Sequence, residues 1–435
     1  MQRLVISHNR RYLMQEDKPF FWLGDTAWLL FGNVSEEEAY VYLKNRAEKG
    51  FNVIQAVLVY ATEELNTVNV MPYHPQAPIE SEEYWKHVDR VISMAEDLGL
   101  YMALLPCWGS LVKTGVLHEG NVLKYAQFLC ERYHDRTNLI WVLGGDIRAD
   151  EFTELYRNFG RYLKEHMPDT LVSYHPFGRT ASTTWFAGED WMDFHMFQSG
   201  HRRYDQCSLG VWDDAGADMN TDYYGEDNWR YVEWDYRLDV KPTLDAEPSY
   251  EWIPQGLHDV TQPYWTAYEV RRYAYWSVLA GACGHTYGDN AVMQFYREGN
   301  DGVTYGPVCE WDEAIHHAGS GQMKILKDLV LSLMPHYMDG TPRDELLVGG
   351  QRPGHARIAL FGGEDFLIAY DFLGEEWAVK TDAYEGCELY WLNPATGVYS
   401  YAGICPKGEF HAHRWTRHEG WDADRVLLIR RKVRE

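Results

Sequence analysis

Short apolar runs alternate with amphipathic stretches along most of the chain. Runs such as 100–106 are apolar at nearly every position, which is typical of strands buried on both faces of a parallel sheet. Between such runs, apolar residues recur every three or four positions, as they do in 84–95, and this spacing predicts helices. The alternation predicts an α/β fold, a (β/α)8 TIM barrel. Its expected strands are 20–24, 52–59, 100–106, 141–144, 171–174, 192–197, 242–248 and 282–287.

The pattern changes after a predicted helix at 320–335. Residues 345–435 carry short alternating runs separated by turns, and these predict a small all-β sandwich. We therefore expect a barrel over 1–340, preceded by a hairpin in its first residues, and a β-sandwich domain over 341–435. No Gly/Ser/Pro-rich linker separates the two parts, so we expect them to pack through an apolar interface.

Charge and cysteine content narrow the function classes. The formal net charge of −25 argues against nucleic acid and anionic membranes as partners, because both require basic patches. No apolar run approaches the ~20 residues that span a bilayer. Seven scattered cysteines without CxxC spacing, and a start without a signal-peptide core, lead us to expect a cytoplasmic protein with reduced thiols. The oligomeric state is left open.

Two acidic residues lie at positions where TIM barrels carry their active sites. Asp146 follows the fourth predicted strand and Glu247 the seventh, at the carboxyl ends where barrel active sites lie. Glycoside hydrolysis requires two such groups on either side of one bond. A helix cap or an ion pair is an equally good explanation for either acid alone, but the two together favour catalysis. Asp245 and Glu251 are the local alternatives.

Aromatic content adds to this picture, because 18 Trp and 31 Tyr offer flat rings suited to sugar faces. Polar and aromatic residues at or near the strand ends are therefore candidate ligands of an oligosaccharide or glycan, with core packing as the alternative for any single one. The candidates are Asp25, Trp28, Gln55, Trp108, His175, His195, His201, Tyr250, His285 and Tyr287.

A metal centre is the main competing explanation for the histidines. Metal-dependent barrel hydrolases need a His-x-His pair on the first strand, where this chain has Gly24-Asp25-Thr26-Ala27. No His-Glu-x-x-His spacing, Gly-rich phosphate loop or dinucleotide fingerprint occurs either. We therefore predict neither a metal nor another cofactor.

Several longer motifs resemble one bacterial glycosidase family. They are FFWLGDTAW (20–28), GFNVIQ (50–55), GGDIR (144–148), YHPFG (174–178), FHMFQSGH (194–201), DAEPSY (245–250) and HTYG (285–288). Together they resemble the apiosidases of glycoside hydrolase family 140, over essentially the whole chain. The resemblance implies a (β/α)8 barrel followed by a C-terminal β-sandwich. In this family the β-sandwich is called a collagen-binding domain. It also implies a retaining mechanism with Asp146 as acid/base and Glu247 as nucleophile, and it leaves the sugar open.

The favoured interpretation is a retaining glycoside hydrolase acting on a plant-type glycan or an oligosaccharide derived from one. A non-catalytic carbohydrate-binding protein on a barrel scaffold is the alternative from another class. Metal-dependent amide hydrolysis is a third hypothesis.

Overall fold

A computed structural model describes residues 1–60, 82–206, 226–415 and 422–431. The chain begins with a three-stranded antiparallel sheet, where the sequence had indicated a hairpin. Its strands are β1 (Leu4–Ile6), β2 (Leu13–Gln15) and β3 (Lys18–Phe20). Gln15 donates to the Tyr101 hydroxyl at the start of a barrel strand, so this sheet covers the amino-terminal end of the barrel.

Eight parallel strands form the barrel, and the predicted fold class is confirmed. They are β4 (Trp22–Thr26), β5 (Val53–Val57), β6 (Tyr101–Leu105), β7 (Leu139–Gly144), β8 (Val172–His175), β10 (His195–Gln198), β11 (Thr243–Asp245) and β12 (Gly284–Tyr287), while β9 (Thr180–Ala181) pairs antiparallel with β10. Between β8 and β10, the Asp193 amide donates to the Val172 carbonyl and brings the two ends of the sheet together. Trp22 of β4 contacts Phe194, which lies just before β10 and not on a neighbouring strand, so side chains fill the barrel interior.

Helices cover the outside of the barrel. They are α1 (Leu30–Asn33), α2 (Glu36–Glu48), α3 (Glu82–Asp97), α4 (Gly109–Lys113), α5 (Val122–Tyr133), α6 (Thr153–His166), α7 (Thr183–Phe186), α8 (Trp229–Leu238), α9 (Ala267–Leu279), α10 (Asn290–Met293), α11 (Trp311–Ala314) and α12 (Ala318–Ser332). The local sequence explains their starts: Ser35 and Glu38 form a capping box before α2, and Thr266 and Glu269 form another before α9. Within the described ranges, no helix is both long and apolar enough to span a membrane.

The C-terminal part is all-β apart from short 3-10 turns. One six-stranded antiparallel sheet has the order β13-β14-β15-β20-β17-β18, and β16 pairs with β19. The strands are β13 (Thr341–Pro342), β14 (Ile358–Gly362), β15 (Phe366–Asp371), β16 (Trp377–Lys380), β17 (Glu388–Leu392), β18 (Tyr399–Ile404), β19 (Glu409–Ala412) and β20 (Arg425–Arg430). The predicted β-sandwich character is confirmed.

One face of the six-stranded sheet packs on the barrel and shares its hydrophobic core. Tyr275 of α9 stacks on Tyr370 with ring centroids 4.5 Å apart. Beside this stack, the buried Arg271 guanidinium donates to both carboxylate oxygens of Asp424 at 2.9 Å. The expected apolar interface is present, and it also encloses a buried ion pair that the sequence did not reveal. The sequence also predicts a long irregular loop over roughly 202–225, and most of it lies outside the described residues.

Candidate active site

The turn after β7 brings Asp146 to the mouth of the barrel. Gly144, Gly145 and Asp146 all have positive φ angles, of 92°, 96° and 48°. A Cβ atom on Gly144 would lie 2.3 Å from the carbonyl oxygen of His175, so no larger residue fits there. Aspartate tolerates the left-handed region better than most residues. The two glycines therefore allow the tight turn that exposes this carboxyl group to the cavity.

Glu247 follows β11 and lies on the opposite side of the same cavity. Its Oε1 is 3.0 Å from His201 Nε2, and its Oε2 is 3.4 Å from His175 Nε2. The Tyr250 amide donates to His201 Nδ1, at 3.4 Å. Because Nδ1 accepts this hydrogen bond, Nε2 carries the proton and donates to Glu247. Two imidazoles thus orient one buried carboxylate.

The two acids differ in their protonation. Burial and the neighbouring Glu247 charge raise the pKa of Asp146 to about 7, although His175, Gln198 and Lys113 act in the opposite direction. Burial also favours the neutral form of Glu247, but hydrogen bonds from His175 and His201 lower its pKa to about 2. At slightly acidic pH the pair therefore holds one proton, on Asp146.

Aromatic rings form one wall of the cavity. The Trp28 and Tyr60 rings lie 5.1 and 5.0 Å from the Trp108 ring, between centroids. The lining residues are Trp28, Leu29, Tyr60, Trp108, Asp146, Gln198, His201, Glu247, Tyr250, Ile253, Leu257, Met293, Gln294, Gly302, Thr304 and Tyr305. An adjoining hollow shares Asp146 and continues past Phe177, Arg179, Arg202 and His258. Both carboxyl groups therefore open onto a space bordered by aromatic rings.

Four of the ten predicted sugar ligands line this cavity, and a fifth lies behind it. Trp28, Trp108, His201 and Tyr250 line it, and His175 contacts Glu247 from a fully buried position. Gln55 lies inside the barrel and donates to the Ala246 carbonyl, so it supports the backbone just before Glu247 without lining the cavity. The structure therefore does not bring Gln55, a predicted sugar ligand, to the cavity.

Four predicted ligands face the helices instead. Tyr287 donates to Glu251, and His285 lies on the same face of β12. Burial lowers the pKa of His285 to about 3. The His195 side chain points away from the barrel interior, and its Nε2 is 3.3 Å from a carboxylate oxygen of Asp239. Asp25 likewise points outward, so the structure places Asp25, His195, His285 and Tyr287 away from the cavity.

Asp25 is part of a buried ion pair. It accepts hydrogen bonds from Arg46 Nε at 2.6 Å and from the Tyr42 hydroxyl, and the side chains of Asp25 and Arg46 are 0% exposed. Burial raises the pKa of Asp25, while Arg46 and Tyr42 lower it. The Asp25 carboxylate therefore balances the positive charge of the Arg46 guanidinium, which is buried between β4 and α2.

Replacing Asp25 with Ala should lower the free energy of unfolding by about 3–5 kcal/mol, because it leaves Arg46 buried without a counter-charge. Chemical denaturation of the purified variant measures this loss. Asp328→Ala is the matched control, since the Asp328 side chain is 55% exposed and its pair with Lys324 is worth about 1 kcal/mol or less. A normally stable Asp25→Ala protein with weakened sugar binding would contradict the structural role.

Several cavity residues gave no clear signal in the sequence. Gln198 ends β10 on its inward face and hydrogen bonds with Asp146. Thr304 and Tyr305 reach the cavity from a loop after α10, which Gln294 and Asn290 hold by hydrogen bonds to backbone groups. Inward alternation along β10 could have indicated Gln198. The loop residues follow no periodic pattern, so no local signal marks them.

The same site contains a set of potential metal ligands. One ligand atom from each of Asp146, His175 and Glu247 lies within 4.8 Å of the others. By distance alone these three residues could hold an ion. His201 already donates a hydrogen bond to Glu247, which leaves one carboxylate oxygen of that residue for such a role.

The family follows from comparison with known proteins. Residues 7–336 match the family model described as "Apiosidase-like, catalytic domain". The chain belongs to the apiosidase-like family. Residues 341–430 of this apiosidase-like protein match the model described as "Putative collagen-binding domain of a collagenase". No curated protein sequence matches it.

Two solved structures resemble the apiosidase-like protein over nearly its whole length. One, named only as a glycoside hydrolase, is 36% identical with a TM-score of 0.88, and the match covers 100% of this chain and 98% of the other. The second, named as a glycoside hydrolase family 5 protein from Bacteroides vulgatus, is 33% identical with a TM-score of 0.86, covering 99% and 94%. The apiosidase-like protein is thus homologous to glycoside hydrolases, and this homology supports a carbohydrate substrate.

Proposed function

We propose that the protein is a retaining glycoside hydrolase. The observation that carries this proposal is that one carboxyl oxygen of Asp146 lies within 4.8 Å of one carboxyl oxygen of Glu247. Retaining enzymes place their carboxyl groups ~5–5.5 Å apart, whereas inverting enzymes need ~6.5–9.5 Å to admit a water molecule. The short spacing favours direct attack by one carboxylate.

The difference between the two pKa values supports a separate role for each acid. Glu247, with a lowered pKa, is ionised and attacks the anomeric carbon while Asp146, with a raised pKa, donates its proton to the leaving oxygen. A covalent glycosyl-enzyme results. Asp146 then removes a proton from water, which displaces the sugar from Glu247 and regenerates both groups.

The cavity wall fits a sugar ring beside these groups. Trp28, Tyr60 and Trp108 offer ring faces for stacking, and Tyr250 and Gln198 add polar groups near the reacting bond. His175 and His201 hold the nucleophile in place. We further propose a plant-type glycan or an oligosaccharide derived from one as the substrate, on the strength of the family resemblance.

Product stereochemistry tests the mechanism. Aryl glycosides and plant oligosaccharides are first screened by mass spectrometry of the products, and the anomer released first from a cleaved substrate is then identified by NMR. We expect the configuration of the substrate to be retained. Release of the opposite anomer would refute Glu247 as nucleophile. Loss of activity after metal chelation, restored by one metal ion, would instead support metal-dependent hydrolysis at Asp146, His175 and Glu247.

A further inference from the structure

A second group of reactive side chains lies beside β12. Cys309 Sγ is 3.6 Å from His317 Nε2, and His317 Nδ1 is 2.7 Å from an Asp289 carboxylate oxygen. The three residues come from three segments: Asp289 precedes α10, Cys309 precedes α11 and His317 precedes α12. None of them lines the cavity that contains Asp146.

The hydrogen bonds define the direction of proton transfer. Asp289 Oδ1 accepts from the amides of Ala291 and Val292, and Oδ2 faces His317 Nδ1. A carboxylate only accepts, so Nδ1 of the imidazole carries the proton. The lone pair of Nε2 therefore points toward the thiol of Cys309. A thiol, an imidazole and a carboxylate in this order form the arrangement that activates cysteine nucleophiles.

The thiol needs this base. Burial and the charges of Asp289, Glu313 and Asp312 raise the pKa of Cys309 to about 11, so the sulfur is protonated at neutral pH. Although burial lowers it, the hydrogen bond and charge of Asp289 raise the pKa of His317. Attack by the sulfur therefore requires that its proton pass to Nε2 as the new bond forms.

Cys309 is more accessible to solvent than the other cysteines that the structure describes. Cys107, Cys130, Cys283, Cys387 and Cys405 are buried, whereas Cys309 is partly exposed. The His317 side chain is 18% exposed, and the Trp252 ring packs against it, with centroids 5.5 Å apart. Over the described ranges, no third ligand atom completes a metal site around Cys309 and His317.

We propose that Cys309, His317 and Asp289 form a second reactive centre, at which Cys309 is modified by low-molecular-weight disulfides. Sγ of Cys309 attacks one sulfur of the disulfide, and the S–S bond breaks. Its electron pair leaves with the second sulfur as a thiolate, while the thiol proton moves to His317 Nε2. The leaving thiolate then takes the proton from His317 Nε2. The products are a mixed disulfide on Cys309 and one free thiol, so the step needs no other oxidant.

The test follows the rate at which oxidised glutathione adds to Cys309, measured by mass spectrometry of the Cys309 peptide. The folded wild-type protein should react about 100-fold faster than the His317→Ala variant, the scale of general base catalysis. His317→Gln, which can still donate to Asp289 but has no basic nitrogen, should be equally slow. His316→Ala is the matched control because His316 is exposed, and it should react at the wild-type rate.

Added imidazole distinguishes loss of the general base from a structural defect in the His317→Ala variant. It should restore much of the rate in His317→Ala, because a free base can occupy the space left by the ring, whereas a purely structural defect would not respond. Circular dichroism and glycosidase activity verify that each variant is folded. Equal rates in wild type and His317→Gln, or a wild-type rate no higher than that of the Cys309 thiol in the unfolded chain, would refute the proposal.

Discussion

Replacing Glu247 with Gln should lower kcat by on the order of 10⁴-fold while changing the Kd for a substrate little. Glutamine has the same shape and can still accept the hydrogen bond from His201, but it cannot form the glycosyl-enzyme. Single-turnover kinetics together with calorimetric binding separate the two effects. Glu298→Gln serves as the matched control because Glu298 is exposed, and it should keep wild-type turnover.

The same substitution should also change the titration of its partner. The negative charge of Glu247 is one cause of the raised pKa of Asp146, so its removal should lower that pKa. NMR titration of labelled aspartate carboxyl groups in the variant measures the change. Near-normal turnover of Glu247→Gln would refute the assignment. Asp245 and Glu251 would not be natural replacements, because they bind Ser199 and Tyr287 outside the cavity.

Replacing Asp146 with Asn should have an effect that depends on the substrate. Substrates with poor leaving groups should lose about 10²–10⁴-fold in kcat, because no acid protonates the departing oxygen. Activated aryl glycosides should still react in the first step and then accumulate as glycosyl-enzyme, because no base activates water. Added azide needs no base, so it should release the sugar as a glycosyl azide. Intact-protein mass spectrometry and product analysis detect both species.

The raised pKa of Asp146 also predicts the alkaline limb of the pH–activity profile. The active enzyme carries a proton on Asp146, so kcat/KM should fall as the pH rises through about 7. Asp146→Asn should lose this limb for activated substrates, whereas Asp135→Asn, at a side chain that is 92% exposed, should keep it. An unchanged limb in Asp146→Asn would assign the titration to another group.

The sequence predicted the barrel well because its strands and helices differ in the period of their apolar residues. It also located Asp146 and Glu247, since each follows an apolar run that ends at a turn. It failed where both faces of a strand are buried. In β12, His285 and Tyr287 alternate with Gly284 and Thr286, and all four are buried. Periodicity then shows that the faces alternate but not which face points inward.

Charge pairs were the second source of error. Asp25 follows an apolar run just as Asp146 does, and only the three-dimensional structure places Arg46 against it. The partner lies on α2, where Arg46 shares the buried face with Ala39, Tyr42 and Leu43. The cavity residues Thr304 and Tyr305 were missed for a different reason: they belong to a loop whose course depends on tertiary hydrogen bonds.

The stacked rings and the buried Arg271–Asp424 pair between barrel and sandwich limit how this gene can be rearranged. A barrel expressed without residues 341–431 would present Tyr275 and its aromatic neighbours to water and leave the Arg271 guanidinium without its carboxylate. Any recombination or engineered fusion that replaces the β-sandwich must therefore supply another domain that covers Tyr275. That domain must also carry an acidic residue at the position of Asp424. In this protein the smaller domain covers an apolar face of the barrel, so we expect the two domains to be exchangeable only as one unit.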